Sequence, residues 1–212
     1  MNLTDWETKF ENKISQIAFS DDPAHDLLHF KRVVGLAKSL CERENANAYV
    51  VIPAAWLHDF VIVAKDSPLR SQASRLSAER AVEFLKLIEY PVKFHQEIFH
   101  AIEGHSFSAN IEAKTIEAKI TQDADRLDGL GAIGIARCFA TAGLLKRAFY
   151  NQEDPFCAER MPDDSQFTID HFYKKLFKTV ETLKTKSGIE EGRNRLEVMK
   201  SYLTALKSEI LQ

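Results

Sequence analysis

The chain has 212 residues, of which 45% are hydrophobic and 14 are Phe. That is enough apolar surface for a sizeable core in one domain, and it excludes an intrinsically disordered chain. The 28 Lys and Arg are scattered and outweighed by 31 Asp and Glu, a formal net charge of −3, so a sequence-independent grip on nucleic acid, which needs a basic face, is not expected.

Nearly every long segment reads with a helical period. Thr4-Asp5-Trp6-Glu7 matches a capping box, and Trp6, Phe10, Ile14 and Ile17 follow as one apolar stripe. Asp22-Pro23 opens a second predicted helix with Leu27, Phe30, Val33, Val34, Ala37 and Leu40 on its inner face. Residues 46–63 are apolar nearly all round and predict a central, buried helix, kinked or restarted at Pro53. Its run Ala48–Leu57 is half of what a bilayer crossing needs, so no membrane partner is expected. Further helices are predicted over 71–89, stopped by Pro91, over 91–103, ending at Gly104, and over 112–139 as one long element. Residues 151–167, with Pro155 and Pro162, read as a loop; Asp154, Pro155 and Phe156 are weighed as a lid, with an ordinary loop preferred. Two closing helices follow, separated by Gly188.

Alternating strand patterns, hairpin dipeptides, repeats and low-complexity tracts are absent. The expected fold is an all-α globule forming one domain over 1–212, with a core at about 20–140 and helices over 168–211 packed on it. The N-terminal stretch MNLTDWETKFENK lacks an apolar signal-peptide core, and Cys41, Cys138 and Cys157 form no paired spacing. Both suit a reducing, cytoplasmic setting.

The chemistry concentrates at the histidines. His58-Asp59 ends the most apolar helix in the chain. An ionised Asp there costs several kcal/mol (an order-of-magnitude figure) unless a cation or strong donors compensate it. Imidazole beside carboxylate suits a first-row divalent ion, Mn, Fe, Co, Ni or Zn. Neighbouring helical residues diverge by about 100°, so both reach one ion only at a helix end or kink. The other ligands must come from other helices: His29 from the second, and an acid from Asp123, Asp125 or Asp128 in the long sixth. Such an H…HD…D set makes an N₂O₂ centre with positions open to water and substrate. His25 is read as a support for this centre or a surface residue, and His95, His100 and His171 as packing or surface residues. A second metal on His100 and His105 is the less favoured option.

These residues resemble the HD-domain metal-dependent phosphohydrolases, all-helical enzymes with ligands from a His, a His-Asp pair and a distal Asp. The segments His25-Asp26-x-x-His29-x-x-Arg32-Val33, Leu57-His58-Asp59 and Ser67-Pro68-x-Arg70 are similar to one bacterial subfamily, the YpgQ/YedJ type. So are Gln72 to Glu79, Ala101-Ile102-Glu103-x-His105-Ser106-Phe107-Ser108, Gln122 to Arg137, and Asp170-His171-Phe172-Tyr173-x-Lys175-Leu176. The similarity spans residues 20 to 205 or so.

The resemblance implies His29, His58, Asp59 and Asp125 as ligands of one divalent metal, with Mn²⁺ expected and Ni²⁺, Co²⁺, Fe²⁺ and Zn²⁺ as alternatives. On a helical wheel Asp123 lies nearer the apolar stripe than Asp125, which makes it the alternative distal ligand. Asp128, three residues from Asp125, is expected to accept a hydrogen bond from a ligand. The implied activity is nucleotide pyrophosphohydrolysis, splitting a nucleoside triphosphate into monophosphate and pyrophosphate with water activated by the metal. Asp59 is expected to orient or deprotonate that water, and His105 to serve as donor or proton shuttle. Lys65, Ser67, Arg70 and Arg75, just past His58-Asp59, concentrate the cations and donors that phosphate needs, and Arg32 is placed with them. Some HD nucleotidases carry a catalytic Glu three residues after the pair; Ile62 stands there instead. Phosphomonoester or cyclic-nucleotide hydrolysis, or metal and nucleotide binding without turnover, are the competing functions. The partner is thus a small phosphate compound, and the oligomeric state is open.

Overall fold

The structure, a computed structural model, describes residues 2–17, 26–63, 67–107 and 109–211. His25, Lys65 and the Asp22-Pro23 helix start lie outside these residues. The helices are α1 (Leu3–Ile14), α2 (Leu27–Arg43), α3 (Ala48–Leu57), α4 (Ala73–Leu87), α5 (His95–Glu103), α6 (Ile116–Asp128) and α7 (Gly131–Leu144). They are followed by a mixed helical stretch from Phe172 through α8 (Phe177–Thr179) to Thr182, and by α9 (Lys186–Ile210). Among the described residues there is no strand, only an isolated bridge between Ala148 and Phe167. No single helix there is long and apolar enough to cross a membrane.

A helix that is apolar on every side needs neighbours on every side. α3 has them: Val50 to Leu57 are all buried, and α1, α2, α4, α5 and α6 pack around it. Pro53 sits inside this helix. Its ring nitrogen cannot donate to the carbonyl four residues earlier, which belongs to Tyr49. The hydroxyl of buried Tyr90 donates to that carbonyl instead, at 2.7 Å, so the helix continues through the proline. α3 stops at Leu57 with His58 as its cap, shorter than the predicted 46–63. Beyond it the Val61 N–H donates to the Ser77 hydroxyl of α4 at 3.1 Å, which turns the chain outward just after the His-Asp pair.

Other expectations shift for identifiable reasons. The capping box of α1 is built on Asn2 and Asp5, because Asn2 is the stronger cap and precedes Thr4. α2 begins at Leu27, with the Asp26 carboxylate accepting the His29 N–H at 2.9 Å.

The predicted helix over 112–139 is two helices, α6 and α7, bent by 62°. Gly131 adopts φ +70, and a Cβ on Gly134 would collide with the Gly129 carbonyl, so the corner closes only with glycine at both places. In a straight helix Asp128 and Arg137 would stand about 13.5 Å apart along the axis; the bend brings their side chains into contact.

Gly188 does not separate the closing helices. It lies in the first turn of α9, where a Cβ would strike the Asp123 carboxylate, so it permits α9 to approach α6. The break falls at Leu183 and Thr185, both extended. In the 151–167 loop, Asp154 accepts from the N–H groups of Ala158, Glu159 and Arg160, and Arg160 pairs with fully buried Asp170. This bracing is that of an ordinary structured loop.

Candidate metal centre

Three helix ends and one loop meet at a single point. α2 contributes His29 from its first turn, the end of α3 contributes His58 and Asp59, the last turn of α6 contributes Asp125, and the segment after α5 contributes His105. His29 Nε2 lies 3.4 Å from His58 Nε2 and 3.7 Å from Asp125 Oδ1, and His58 Nε2 lies 3.8 Å from Asp125 Oδ1. Asp59 Oδ2 is 3.7 Å from His58 Nε2, while its Oδ1 is 3.5 Å from His105 Nε2.

The imidazole tautomers follow from their far sides. A carbonyl oxygen only accepts, so His58 Nδ1 donates to Ala55 O at 2.8 Å and His105 Nδ1 donates to Ile102 O at 2.6 Å. His29 Nδ1 faces the Asp128 carboxylate at 2.8 Å. Both rings are therefore held at Nδ1 from behind and turn Nε2 toward each other and toward Asp125. Acceptors facing acceptors at this spacing fit a cation, whose bonds of about 2.0–2.2 Å place neighbouring donor atoms roughly 3–3.5 Å apart. His29, His58 and Asp125 form one group able to hold a metal ion; His58, Asp59 and His105 form another that shares His58.

Electrostatics agree. Burial drives the His58 pKa down and favours the neutral ring, against the pull of Asp59 and Asp125. Burial pushes the Asp59 and Asp125 carboxyls up, but the imidazoles of His58, His105 and His29 outweigh it and hold both below the usual range. Burial lowers the His105 pKa, and its contact with Asp59 more than restores it, so the balance is upward. Asp59 (36% exposed) and Asp125 (31%) keep contact with solvent, whereas His29 and His58 are buried; entry to the centre is thus from the carboxylate side.

Asp128 anchors the arrangement from behind. It is buried, accepts from Arg32 Nε at 2.7 Å and Nη2 at 3.1 Å, and pairs with Arg137 Nη1. Burial raises its carboxyl, and His29, Arg32 and Arg137 together hold it well below the usual range. Asp123, the alternative distal acid, points the other way. It is fully buried and accepts from the N–H groups of Lys184 (2.9 Å) and Thr185 (2.7 Å) and from the Thr185 hydroxyl (2.7 Å). Its task is to hold the start of α9 against α6.

The expected phosphate contacts are arranged differently from the metal group. Arg32 is committed to Asp128. Ser67 accepts from the Leu69 N–H at 3.2 Å, Arg70 donates to Val63 O at 3.0 Å, and exposed Arg75 pairs with Glu79 and Glu103. His100 spends its Nε2 lone pair on the Lys114 N–H at 3.0 Å, which removes it as a metal donor. His95 is buried and donates from Nε2 to Tyr90 O at 2.9 Å, and His171 pairs with Asp164. Arg137 was not anticipated, because its contact depends on the bend between α6 and α7; the glycines at 129, 131 and 134 are the signal that could have exposed it.

The HD domain family matches residues 27–130. YpgQ of Bacillus subtilis is similar over nearly the whole chain: its crystal structure in complex with ADP has a TM-score of 0.75 and 30% identity, covering 96% of this chain and 97% of that one. An HD-superfamily hydrolase from Bacillus thuringiensis has a TM-score of 0.75 and 28% identity, covering 99% of both chains. The Lin1889 protein from Listeria innocua is 28% identical with a TM-score of 0.74, covering 99% of this chain and 98% of that one. With its His, His-Asp and distal Asp brought together, the chain belongs to the HD-domain superfamily of metal-dependent phosphohydrolases.

Proposed function

We propose that the chain hydrolyses a nucleoside triphosphate to the monophosphate and pyrophosphate, with one divalent cation, Mn²⁺ by preference, held by His29, His58, Asp59 and Asp125. The carrying observation is the meeting of His29, His58 and Asp125, with Asp59 joined to them through His58, and the two imidazoles held by Nδ1 from behind. A cation held there supplies the Lewis acidity that makes water nucleophilic near neutral pH and draws charge from a phosphoryl oxygen. Asp59 is suited to two tasks at once, since Oδ2 faces His58 and Oδ1 faces His105. It orients the attacking water and takes its proton; His105 receives that proton through Oδ1 and returns one from Nε2 to the leaving oxygen. Arg32 acts as a positioning residue through Asp128 and does not bind substrate directly. Lys65, Ser67, Arg70 and Arg75 remain the source of phosphate contacts, which requires Ser67, Arg70 and Arg75 to exchange their present surface partners for substrate. The ADP bound to the similar YpgQ favours a nucleotide over other phosphate compounds.

Incubation with a panel of nucleoside triphosphates and divalent ions, followed by phosphorus NMR and mass spectrometry of the products, tests this reading. Monophosphate with pyrophosphate is expected, and chelation stops the reaction until Mn²⁺ is restored. Release of orthophosphate, or cleavage of monoesters or cyclic nucleotides alone, overturns the pyrophosphohydrolase assignment.

A further inference from the structure

Two residues close in the chain to groups of the centre are left over by this chemistry. Phe107 follows His105 by two positions and is 77% exposed, an unusual setting for a large aromatic side chain. Arg126 directly follows Asp125 on α6. It is half-buried, and its guanidinium carbon stands 5.7 Å from the centroid of the Phe107 ring. Arg126 Nη1 donates to Thr182 O at 2.7 Å, and among the described residues no carboxylate lies within ion-pair distance of it.

A lone exposed Phe needs no explanation; an exposed Phe braced by a held cation beside a phosphate-cleaving centre has one. Thr182 fixes the guanidinium, and the guanidinium covers one face of the ring by cation–π attraction. High exposure leaves the other face to solvent. Phe107 lies two residues after His105 and Arg126 directly after Asp125, so the two elements that supply those groups to the centre also supply this ring and its brace. We infer that Phe107, braced by Arg126, is the platform on which the nucleobase of the substrate stacks while its phosphates reach the centre. The inference rests on the nucleotide reading above. It assigns a base-binding site that contributes affinity through the π-face common to all bases, without hydrogen-bond readout.

The test compares the parent, F107A and F107W in the full-length, metal-loaded protein. Calorimetric titration with ADP is expected to show affinity about ten- to hundredfold weaker in F107A, and restored in F107W. The preference for a nucleoside triphosphate over inorganic tripolyphosphate, as a ratio of kcat/KM values, falls in F107A by a similar factor. Unchanged ADP affinity and unchanged preference in F107A overturn the platform. A parent that binds ADP with the expected dependence on Phe107 but cleaves no triphosphate overturns the hydrolysis reading and leaves the platform standing. A parent that binds no nucleotide overturns both.

Discussion

Asp125→Ala is expected to abolish cation binding and reduce hydrolysis to the level of the cation-free protein, while leaving the fold intact. Asp123→Ala, two residues away, is expected to do the reverse. Asp125 is partly exposed, its oxygen faces two Nε2 lone pairs, and the nearby Asp59 carboxylate repels it. Removing it from the cation-free protein gives up the pull of the imidazoles but also relieves the repulsion from Asp59, and strips no hydrogen-bond donor of its acceptor. Asp123 is fully buried and accepts three donors from Lys184 and Thr185. Its loss leaves those donors unsatisfied and frees Thr185, the N-cap of α9, from its anchor on α6, at a cost of about 2–3 kcal/mol. Thermal unfolding and metal calorimetry on both variants make the check. Loss of cation binding in Asp123→Ala, with binding kept in Asp125→Ala, would reverse the assignment.

Asp128→Asn is expected to weaken cation binding by roughly 10–100-fold although Asp128 touches no cation itself. An ionised Asp128 only accepts, so it holds the proton of His29 on Nδ1 and turns the Nε2 lone pair toward the centre. An amide can present N–H to Nδ1 instead, which moves the ring proton to Nε2 and points it at the centre. Two guanidinium groups also lose their carboxylate. Breaking such a buried pair is strongly destabilising, here by roughly 2–4 kcal/mol because Arg32 and Arg137 keep some access to water. Arg137→Ala leaves the carboxylate in place with Arg32 on it, so its effect on cation affinity is expected to be smaller. Nitrogen NMR of the His29 ring reads the tautomer directly. An unaltered Nδ1–H tautomer in Asp128→Asn, with unaltered cation affinity, would sink this account of the clamp.

What the sequence made legible divides along contact distance. The all-helical class, the buried α3 and the meeting of His29, His58 and Asp125 were readable, because apolar periodicity and residue chemistry are local signals and family motifs surround each of these residues. The choice between Asp123 and Asp125 was not open to a helical wheel. α6 is covered on both sides, so nearness to the apolar stripe marks the face toward α9 as readily as the face toward α2 and α3. Pro53 is a similar case: whether it breaks α3 depends on the Tyr90 hydroxyl, which comes from a distant turn. The corner at Gly131 is hidden from the sequence because apolar periodicity runs on through it, while Arg137 reaches Asp128 only once that corner forms. The arginines after His58-Asp59 were legible as a cluster of charge, but their individual partners Val63, Glu79 and Glu103 are details of loop placement.

The central claim is that one cation joins groups drawn from α2, α3 and α6. Anomalous diffraction from crystals grown with Mn²⁺ measures this most directly. A peak bonded to His29 Nε2, His58 Nε2 and carboxylate oxygens of Asp59 and Asp125 is predicted; a peak elsewhere, or none at a Mn²⁺ concentration that supports turnover, would contradict it.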